Sequence, residues 1–207
     1  MTRDDIKESI FKKLDELTPL NGELILSIQN ELSNPIEEYI NEFLQDGCDR
    51  TLRAAPYHVL PLTPIPPTGI KAIINGVLLI ELPDSALRIG LVDFKSWERP
   101  VMHTITVDHP NYIIQKNKFT RGGNSKPVVV WLQKAGKKYI ECYTVTAGEQ
   151  DQNPELTCVV SKLPEDMPEV LIPALTWLVA SDVLKVIEKQ KESELAFSSY
   201  TTSLLNL

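Results

Sequence analysis

The side chains that could do chemistry in this chain are few and widely spaced. The three histidines are His58, His103 and His109, and none has the HxxxH or HExxH spacing that places two metal ligands on one helix face. The cysteines are isolated, odd in number and free of any CxxC pair: Cys48, Cys142 and Cys158. These spacings indicate neither a zinc site nor a disulfide framework, and no GxSxG elbow is present to activate a serine. We therefore expect a protein that is not an enzyme and that needs no metal or cofactor.

A basic run, YIIQKNKFTRGG, begins at residue 112 and offers a different kind of chemistry. Its cations, Lys116, Lys118 and Arg121, could contact the phosphates of a nucleic acid. An aromatic neighbour, Tyr112 or Phe119, could stack on a base. For Lys118 and Arg121 we favour a second interpretation, contact with a neighbouring subunit. The third interpretation of this run is a solvated loop. The overlapping stretch TRGGNSKP lacks the GxxxxGKS/T order of a phosphate-binding loop, so it favours the tip of a β-hairpin.

Charge is unevenly distributed along the chain. The 207 residues include 28 acidic and 21 basic side chains, a formal charge of −7, which disfavours a general nucleic-acid binder. Residues 1–55 carry −6, residues 68–146 carry +5 and residues 147–207 carry −6. Such segregation suits head-to-tail contact between copies of the chain, although an uneven solvated surface is the alternative.

The elements that position these residues begin with helices. The first helix has apolar residues at helical spacing: Ile6, Ile10, Leu14 and Leu17. Thr2 or Asp4 can cap its start and Pro19 ends it. A second helix is possible over residues 23–32. A third is predicted from Asn34, an N-cap candidate, to about Ala55, so residues 1–55 form the N-terminal part of a helical body.

After this helix the sequence pattern changes to one typical of β-strands. Residues 56–69 form a proline-rich connection, and residues 70–146 alternate with period two around turn residues, of which Asn75-Gly76 is the strongest hairpin signal. Strands are predicted near residues 87–94, 101–107, 127–132 and 138–145. Residues 147–191 return to helix and complete the helical body. The predicted fold class is α+β, with an inserted antiparallel β-module and an extended C-terminal tail over residues 192–207.

The C-terminal helix is apolar over a wider arc than the roughly 100° stripe of a one-sided surface helix. Polar residues and a proline interrupt it, so it is not a membrane span. With only two or three other helices to cover it, we expect its burial to be shared between copies, with Trp177, Val183 and Leu184 at the subunit interface. The tail adds spaced apolar anchors that could dock on a partner: Leu195, Phe197, Tyr200, Leu204 and Leu205. The charged amphipathic N-terminus predicts no signal peptide.

Three stretches in this order carry a resemblance: IELPDSALRIGLVDFKSWERPV, PNYIIQKNKFTRGGNSKPVVVW and ALTWLVASDVLKVIE. Together with the LDELTP and LRAAPYHVLPL segments before them, they resemble the head-to-tail connector, or neck-ring, proteins of tailed bacteriophages, most closely those of crAss-like phages. The resemblance covers about three quarters of the chain and consists of packing patterns.

The resemblance implies a structural virion protein made in the bacterial host cytoplasm. It would form a homo-oligomeric ring, commonly of twelve copies, beneath the portal protein, and would extend the channel through which genomic DNA passes without sequence-specific binding. The β-module would reach the next tail or ring protein, and the C-terminal tail would embrace the portal. The alternative from another class is a nucleic-acid-binding packaging accessory factor, with KNKFTR and TRGGNSKP as its contact surface.

Overall fold

The computed structural model describes residues 1–18, 33–66, 71–74, 76–146 and 154–207, so the predicted helix over residues 23–32 lies outside the described residues. The fold is α+β. The described helices are α1 (Arg3–Leu17), α2 (Ser33–Ala54), α3 (Pro110–Lys116), α4 (Ile172–Val186) and α5 (Gln190–Leu205). The strands are β1 (Leu62–Pro64), β2 (Lys71–Ile74), β3 (Val77–Leu82), β4 (Ala86–Asp93), β5 (Ile105–Thr106), β6 (Val129–Lys134), β7 (Lys137–Tyr143) and β8 (Glu155–Val160).

The chain forms two compact units. The helical unit combines Met1–Pro61 with Ser161–Leu207, and the β unit is Leu62–Val160. The sequence-based bounds differ from this division at two places. Residues 62–64, predicted to be connection, are strand β1, and residues 155–160, predicted to belong with the helical body, are strand β8. The two strands pair with each other, so segments almost a hundred residues apart build one sheet.

In the helical unit, α1 begins at the predicted cap. The Thr2 hydroxyl accepts a hydrogen bond from the Asp5 amide (3.2 Å), and the Asp5 carboxylate accepts one from the Thr2 amide (2.8 Å). This capping box satisfies amides that the first turn leaves without helical partners. It also sets the helical phase at which Ile6, Ile10 and Leu14 are buried. The apolar spacing and the cap together determine this helix.

The helix α4 lies at the centre of the helical unit and packs against α1, α2 and α5 of its own chain. Ten of its fifteen residues are buried. The expectation that a second copy must cover it is therefore not met in this structure. The helix that sequence reasoning did not place against α4 is α5. Sequence reasoning treated residues 192–207 as an extended tail, whereas residues 190–205 form a helix that returns along α4.

A tight reversal between α4 and α5 makes that return possible. Glu188 takes a left-handed conformation (φ +61°), and the Lys189 amide donates to the Leu184 carbonyl (2.9 Å). Beyond the turn, Ser181 and Ser193 exchange hydrogen bonds: each hydroxyl donates to the other residue's carbonyl at 2.9 Å. These buried polar contacts fix the register of α5 against α4.

The β unit contains two sheets, with strand orders β1-β8-β4 and β2-β3-β7-β6-β5. Side chains of both sheets share one buried cluster, so the sheets pack face to face around it. Its members on the smaller sheet include Ile89, Val92 and Leu156, and those on the larger sheet include Ile80 and Ile140. The strand β3 follows period two, with Leu78, Ile80 and Leu82 buried.

The predicted hairpin at Asn75-Gly76 is confirmed by the antiparallel pairing of β2 with β3 across it. Gly76 has φ +73°, a conformation that costs glycine little, whereas Asn75 lies outside the described residues. The prediction of a wholly antiparallel module is wrong at one edge, because β5 pairs with β6 in parallel. Parallel neighbours need a crossover connection. Residues 107–128, which contain α3, supply it, and the predicted hairpin tip at residues 121–124 is part of this crossover.

Candidate assembly surfaces

The groups able to do chemistry remain apart in the structure. Among the described residues, no three histidine, cysteine or carboxylate side chains lie close enough together to hold a metal ion. Burial raises the pKa of the Cys48 and Cys158 thiols to about 12 each, and it also raises the pKa of Cys142. Thiols with such pKa values stay protonated near neutral pH, so they are poor nucleophiles.

The crossover between β5 and β6 carries the most exposed apolar side chains of the β unit. We call residues 107–126 the basic loop. Within it, Phe119 is 94% exposed and Ile113 is 76% exposed. Burying side chains of this size contributes roughly 1.5–3 kcal/mol each, so their exposure on a stable surface requires a reason.

Hydrogen bonds within the basic loop hold these side chains outward. The His109 ring accepts from the Asn111 amide (3.1 Å), which caps α3. The Asn117 side chain accepts from the Phe119 amide (3.0 Å), and the Thr120 hydroxyl donates to the Ile114 carbonyl (3.0 Å). These local bonds are the kind that shape ordered turns.

The base of the loop is anchored in the same way. Buried Gln115 accepts from the Gly122 amide (3.2 Å), and the Thr144 hydroxyl donates to the Gly122 carbonyl (2.5 Å). The basic loop is therefore an ordered surface that presents apolar side chains.

The basic loop is also positively charged. It holds four basic residues and one acidic residue, a formal charge of +3. Lys116 lies 4.4 Å from the centre of the Tyr112 ring, and the Arg121 guanidinium lies 5.4 Å from the centre of the Tyr143 ring. Burial raises the pKa of the Tyr143 phenol, and its hydrogen bond to Glu141 (2.8 Å) acts in the same direction.

The structure brings two predicted interface residues together. Lys118 and Arg121 line an open cleft of about 500 Å³ beside the basic loop, together with Gly122 and Thr144. Two cationic side chains at one cleft could receive a carboxylate or a phosphate oxygen.

The three residues predicted at the α4 interface have different places. Val183 and Leu184 have no exposed area, because their own chain covers them. A side chain without exposed area cannot contact a second copy, so these two leave the interface set. Trp177 is partly buried and packs against Ala174, and the Lys13 ammonium lies 4.6 Å from the centre of its ring.

The predicted tail anchors divide between two faces of α5. Tyr200 is buried against Ala174 and Leu178, and Leu204 packs on the same cluster, so these two secure the helix to α4. Leu205 is 86% exposed, Leu195 is 59% exposed and Phe197 is 46% exposed. Leu195 and Leu205 thus lie on the outer face of α5, away from Tyr200, whereas the Phe197 ring lies 5.6 Å from the Tyr200 ring.

A second apolar surface of the helical unit escaped sequence reasoning. Residues 163–170, which we call the acidic connector, include one short 3₁₀ turn, Pro164–Asp166, and the first two residues of a second, Glu169–Leu171. Pro164 and Met167 are buried, whereas Leu163 is 55% exposed and Val170 is 53% exposed. The segment holds three acidic residues and no base, a formal charge of −3. The signal in the sequence was the apolar and acidic alternation in LPEDMPEV.

The connector is held against α2 by side-chain hydrogen bonds. The Gln45 amide donates to the Lys162 carbonyl (3.0 Å) and to the Ser161 hydroxyl (3.2 Å). Ser161 in turn donates to the Asp49 carboxylate (2.6 Å). On α2, Glu42 is exposed about one helical turn before Gln45.

Comparison with known proteins identifies no relative: no protein-family model matches the chain, and no curated protein matches it. Within the described ranges, no helix has both the length and the apolar character needed to cross a lipid bilayer.

Proposed function

We propose that this chain is a structural subunit of the neck of a tailed bacteriophage. In this proposal copies assemble into a ring of twelve beneath the portal protein, extend the DNA channel and connect the head to the tail. The virion is then its final location, after synthesis in the bacterial host cytoplasm. The sequence resemblance suggests this class, and the exposed surfaces of the two units support an assembly role.

The observation that carries the proposal is exposed apolar surface on ordered elements of both units. Phe119 is 94% exposed on the β unit, and Leu205 is 86% exposed on the helical unit. Both lie on hydrogen-bonded structure rather than on a chain end that lacks regular structure. Aromatic and aliphatic side chains held in this way are typical anchors of protein–protein interfaces.

In this proposal the outer face of α5 docks on the portal. Leu195 and Leu205 supply apolar contacts on the side of α5 away from Tyr200, with Phe197 at the margin, and a helix can lay such a side into a hydrophobic groove. The reciprocal bonds between Ser181 and Ser193 hold α5 in place before docking. A helix that is already ordered loses less conformational entropy on binding than an extended tail would. The opposite end of the ring would then be available to other tail or ring proteins.

Net charge is compatible with a DNA conduit. The helical unit has 19 acidic and 10 basic residues, a formal charge of −9, whereas the β unit has 9 acidic and 11 basic residues, a charge of +2. Each phosphate that a lysine or arginine neutralises adds a salt-dependent contact that would retain DNA. An acidic channel wall would let DNA pass without sequence-specific binding.

A second candidate function is a nucleic-acid-binding packaging accessory factor. The observation that favours it is the exposed Phe119 ring beside Lys118 and close in sequence to Lys116. Basic side chains that follow a phosphate backbone and an aromatic ring that stacks on bases are the two parts of a single-strand binding surface.

Assembly with the portal separates the two candidates. The purified chain is mixed with the portal protein encoded in the same genome, and the products are measured by light scattering and negative-stain electron microscopy. We expect rings or portal-bound assemblies, and we expect Leu195→Asp with Leu205→Asp to abolish portal binding because charged carboxylates oppose apolar docking. Lys134→Asp is the matched control, since it places a carboxylate at the exposed end of β6.

The contrary result is a monomer that ignores the portal. If that monomer binds single-stranded DNA with an affinity that falls steeply between 50 and 200 mM salt, the accessory-factor function replaces the connector. If the paired α5 substitutions leave portal binding unchanged, α5 is not the docking element.

A further inference from the structure

Two exposed surfaces of this chain match each other in both polarity and charge. The basic loop presents Ile113 and Phe119 with a formal charge of +3. The acidic connector presents Leu163 and Val170 with a formal charge of −3. Each surface has an apolar centre and charged neighbours, the pattern of a protein–protein interface core with a polar rim.

We propose that the basic loop of one copy docks on the acidic connector of a second copy, so that identical subunits associate head to tail. This inference rests on the proposed function, because it names the contact through which ring neighbours would associate. Such a contact is heterologous: it leaves an unused loop on one copy and an unused connector on the other. Repetition of the contact then closes into a ring when the rotation between copies permits it.

The apolar part of the contact gives both surfaces cover that they lack. Phe119 projects from a turn that Asn117 and Thr120 stabilise, so it can enter a neighbouring surface without reorganisation of its own loop. Leu163 precedes buried Pro164, and buried Met167 lies between it and Val170. Both surfaces are therefore preformed, and association needs little ordering of either.

The charged part of the contact specifies the direction. Lys118 is exposed, and no partner within the described ranges holds its ammonium. Glu165 and Asp166 are exposed on the connector. The cleft lined by Lys118 and Arg121 offers space for a carboxylate of the connector. Two loops facing each other would oppose like charges, and so would two connectors, whereas loop against connector pairs opposite charges.

Charge reversal with recovery tests this contact in the full-length chain. Self-association is measured by sedimentation velocity at low and high salt. We expect Lys118→Glu and Glu165→Lys each to weaken association by at least about tenfold, because each opposes like charges at the contact. The chain that carries both substitutions should recover most of the association, since the opposite charges meet again. Lys134→Glu makes the same charge change at the exposed end of β6, outside the loop, and should leave association unchanged.

A cysteine cross-link gives an independent reading of proximity. Chains with Phe119→Cys are mixed with chains with Leu163→Cys under mild oxidation, both alone and with the portal protein. The native thiols are buried, so the introduced cysteines dominate the reaction. We expect an interchain disulfide between the two variants, and little between Lys134→Cys and Leu163→Cys.

Each outcome decides a separate statement. Cross-linking no greater than in the control, or a double charge reversal no better than the single changes, overturns the loop-to-connector contact even where the chain assembles on the portal. Conversely, cross-linking and charge recovery without portal binding support the contact and leave the neck function refuted.

Discussion

Replacing Gly47 by alanine tests whether the chain itself covers α4. Gly47 lies on α2, where a Cβ would meet Val179 Cγ2 at 2.7 Å and Leu175 Cδ1 at 3.2 Å on α4. Unstrained carbon atoms stay about 3.5–4.0 Å apart, so the closer contact is too short by roughly 1 Å. Val179 has no exposed area and a branched side chain, which gives it little freedom to move away.

Two effects of opposite sign set the expected magnitude. Alanine is favoured over glycine inside a helix by about 1 kcal/mol. Overpacking a well-packed core costs typically about 1–3 kcal/mol. The second effect is larger at a contact this short, so we expect Gly47→Ala to lower the free energy of unfolding by about 1 kcal/mol. The assay is urea denaturation followed by circular dichroism, with the midpoint and slope fitted separately.

A companion substitution at the contact makes the test specific. Val179→Ala removes the methyl groups that the new Cβ meets, so in its presence Gly47→Ala should cost less, with a coupling of about 1 kcal/mol. Gly123→Ala is the control, because a Cβ there meets nothing within 4 Å, and its effect should stay within about 0.5 kcal/mol. If Gly47→Ala instead stabilises the protein by the full helix-propensity gain and shows no coupling with Val179→Ala, α2 does not approach α4 at this point and the assignment of the cover is refuted.

Three other predictions concern the same helical unit and the thiols. Ser181→Ala and Ser193→Ala should each cost about 1 kcal/mol in the free energy of unfolding, and the double variant should cost less than their sum, because the hydroxyls also contact each other at 3.1 Å; strict additivity in urea denaturation would contradict this. Burial raises the pKa of Asp182 from its ordinary value of 3.8, although its 2.7 Å ion pair with Arg50 opposes the shift. Its contribution to stability is therefore present in full below pH 3.8 and is lost as the pH rises through the folded-state pKa. Wild type should lose stability relative to Asp182→Asn over that rise, and parallel pH profiles would refute the argument. The buried cysteine thiols should react with a thiol reagent at pH 8 much more slowly in the native protein than in denaturant, and equal rates would show that they are accessible.

Several structural elements could be predicted from interactions between residues close in sequence. The N-cap at Thr2 and the hairpin at Gly76 each depend on residues within about four positions of one another. Such signals need no knowledge of the rest of the fold. The uneven distribution of charge could also be read from the sequence. The structure assigns it to an acidic helical unit and a slightly basic β unit.

The candidate surfaces were less predictable. Lys118 and Arg121 were predicted from a basic run in the sequence. The cleft that both line lies beside the crossover between β5 and β6, and no local sequence pattern indicated that these two strands pair in parallel. The exposure of Ile113 follows from α3, a helix of only two turns that the periodicity of seven residues could not reveal. The acidic connector follows Ser161 and Lys162, which accept hydrogen bonds from Gln45, a residue more than a hundred positions away in sequence. A local pattern cannot predict a contact over this distance.

By itself the sequence determined the α+β fold class, the cap at Thr2, the hairpin at Gly76 and the distribution of charge, whereas the predicted cap at Asn34 lies inside α2, which begins at Ser33. Only the tertiary structure decided what covers α4 and which apolar side chains stay outside. The physical reason lies in the range of the interactions. The hydrogen bonds of caps and turns are made between residues close in sequence. The helix α5 instead depends on its contact with α4, which includes the hydrogen bonds between Ser181 and Ser193. That contact buries Ala174 and Leu178 against Tyr200 and leaves Leu205 exposed, a division that no local pattern contains.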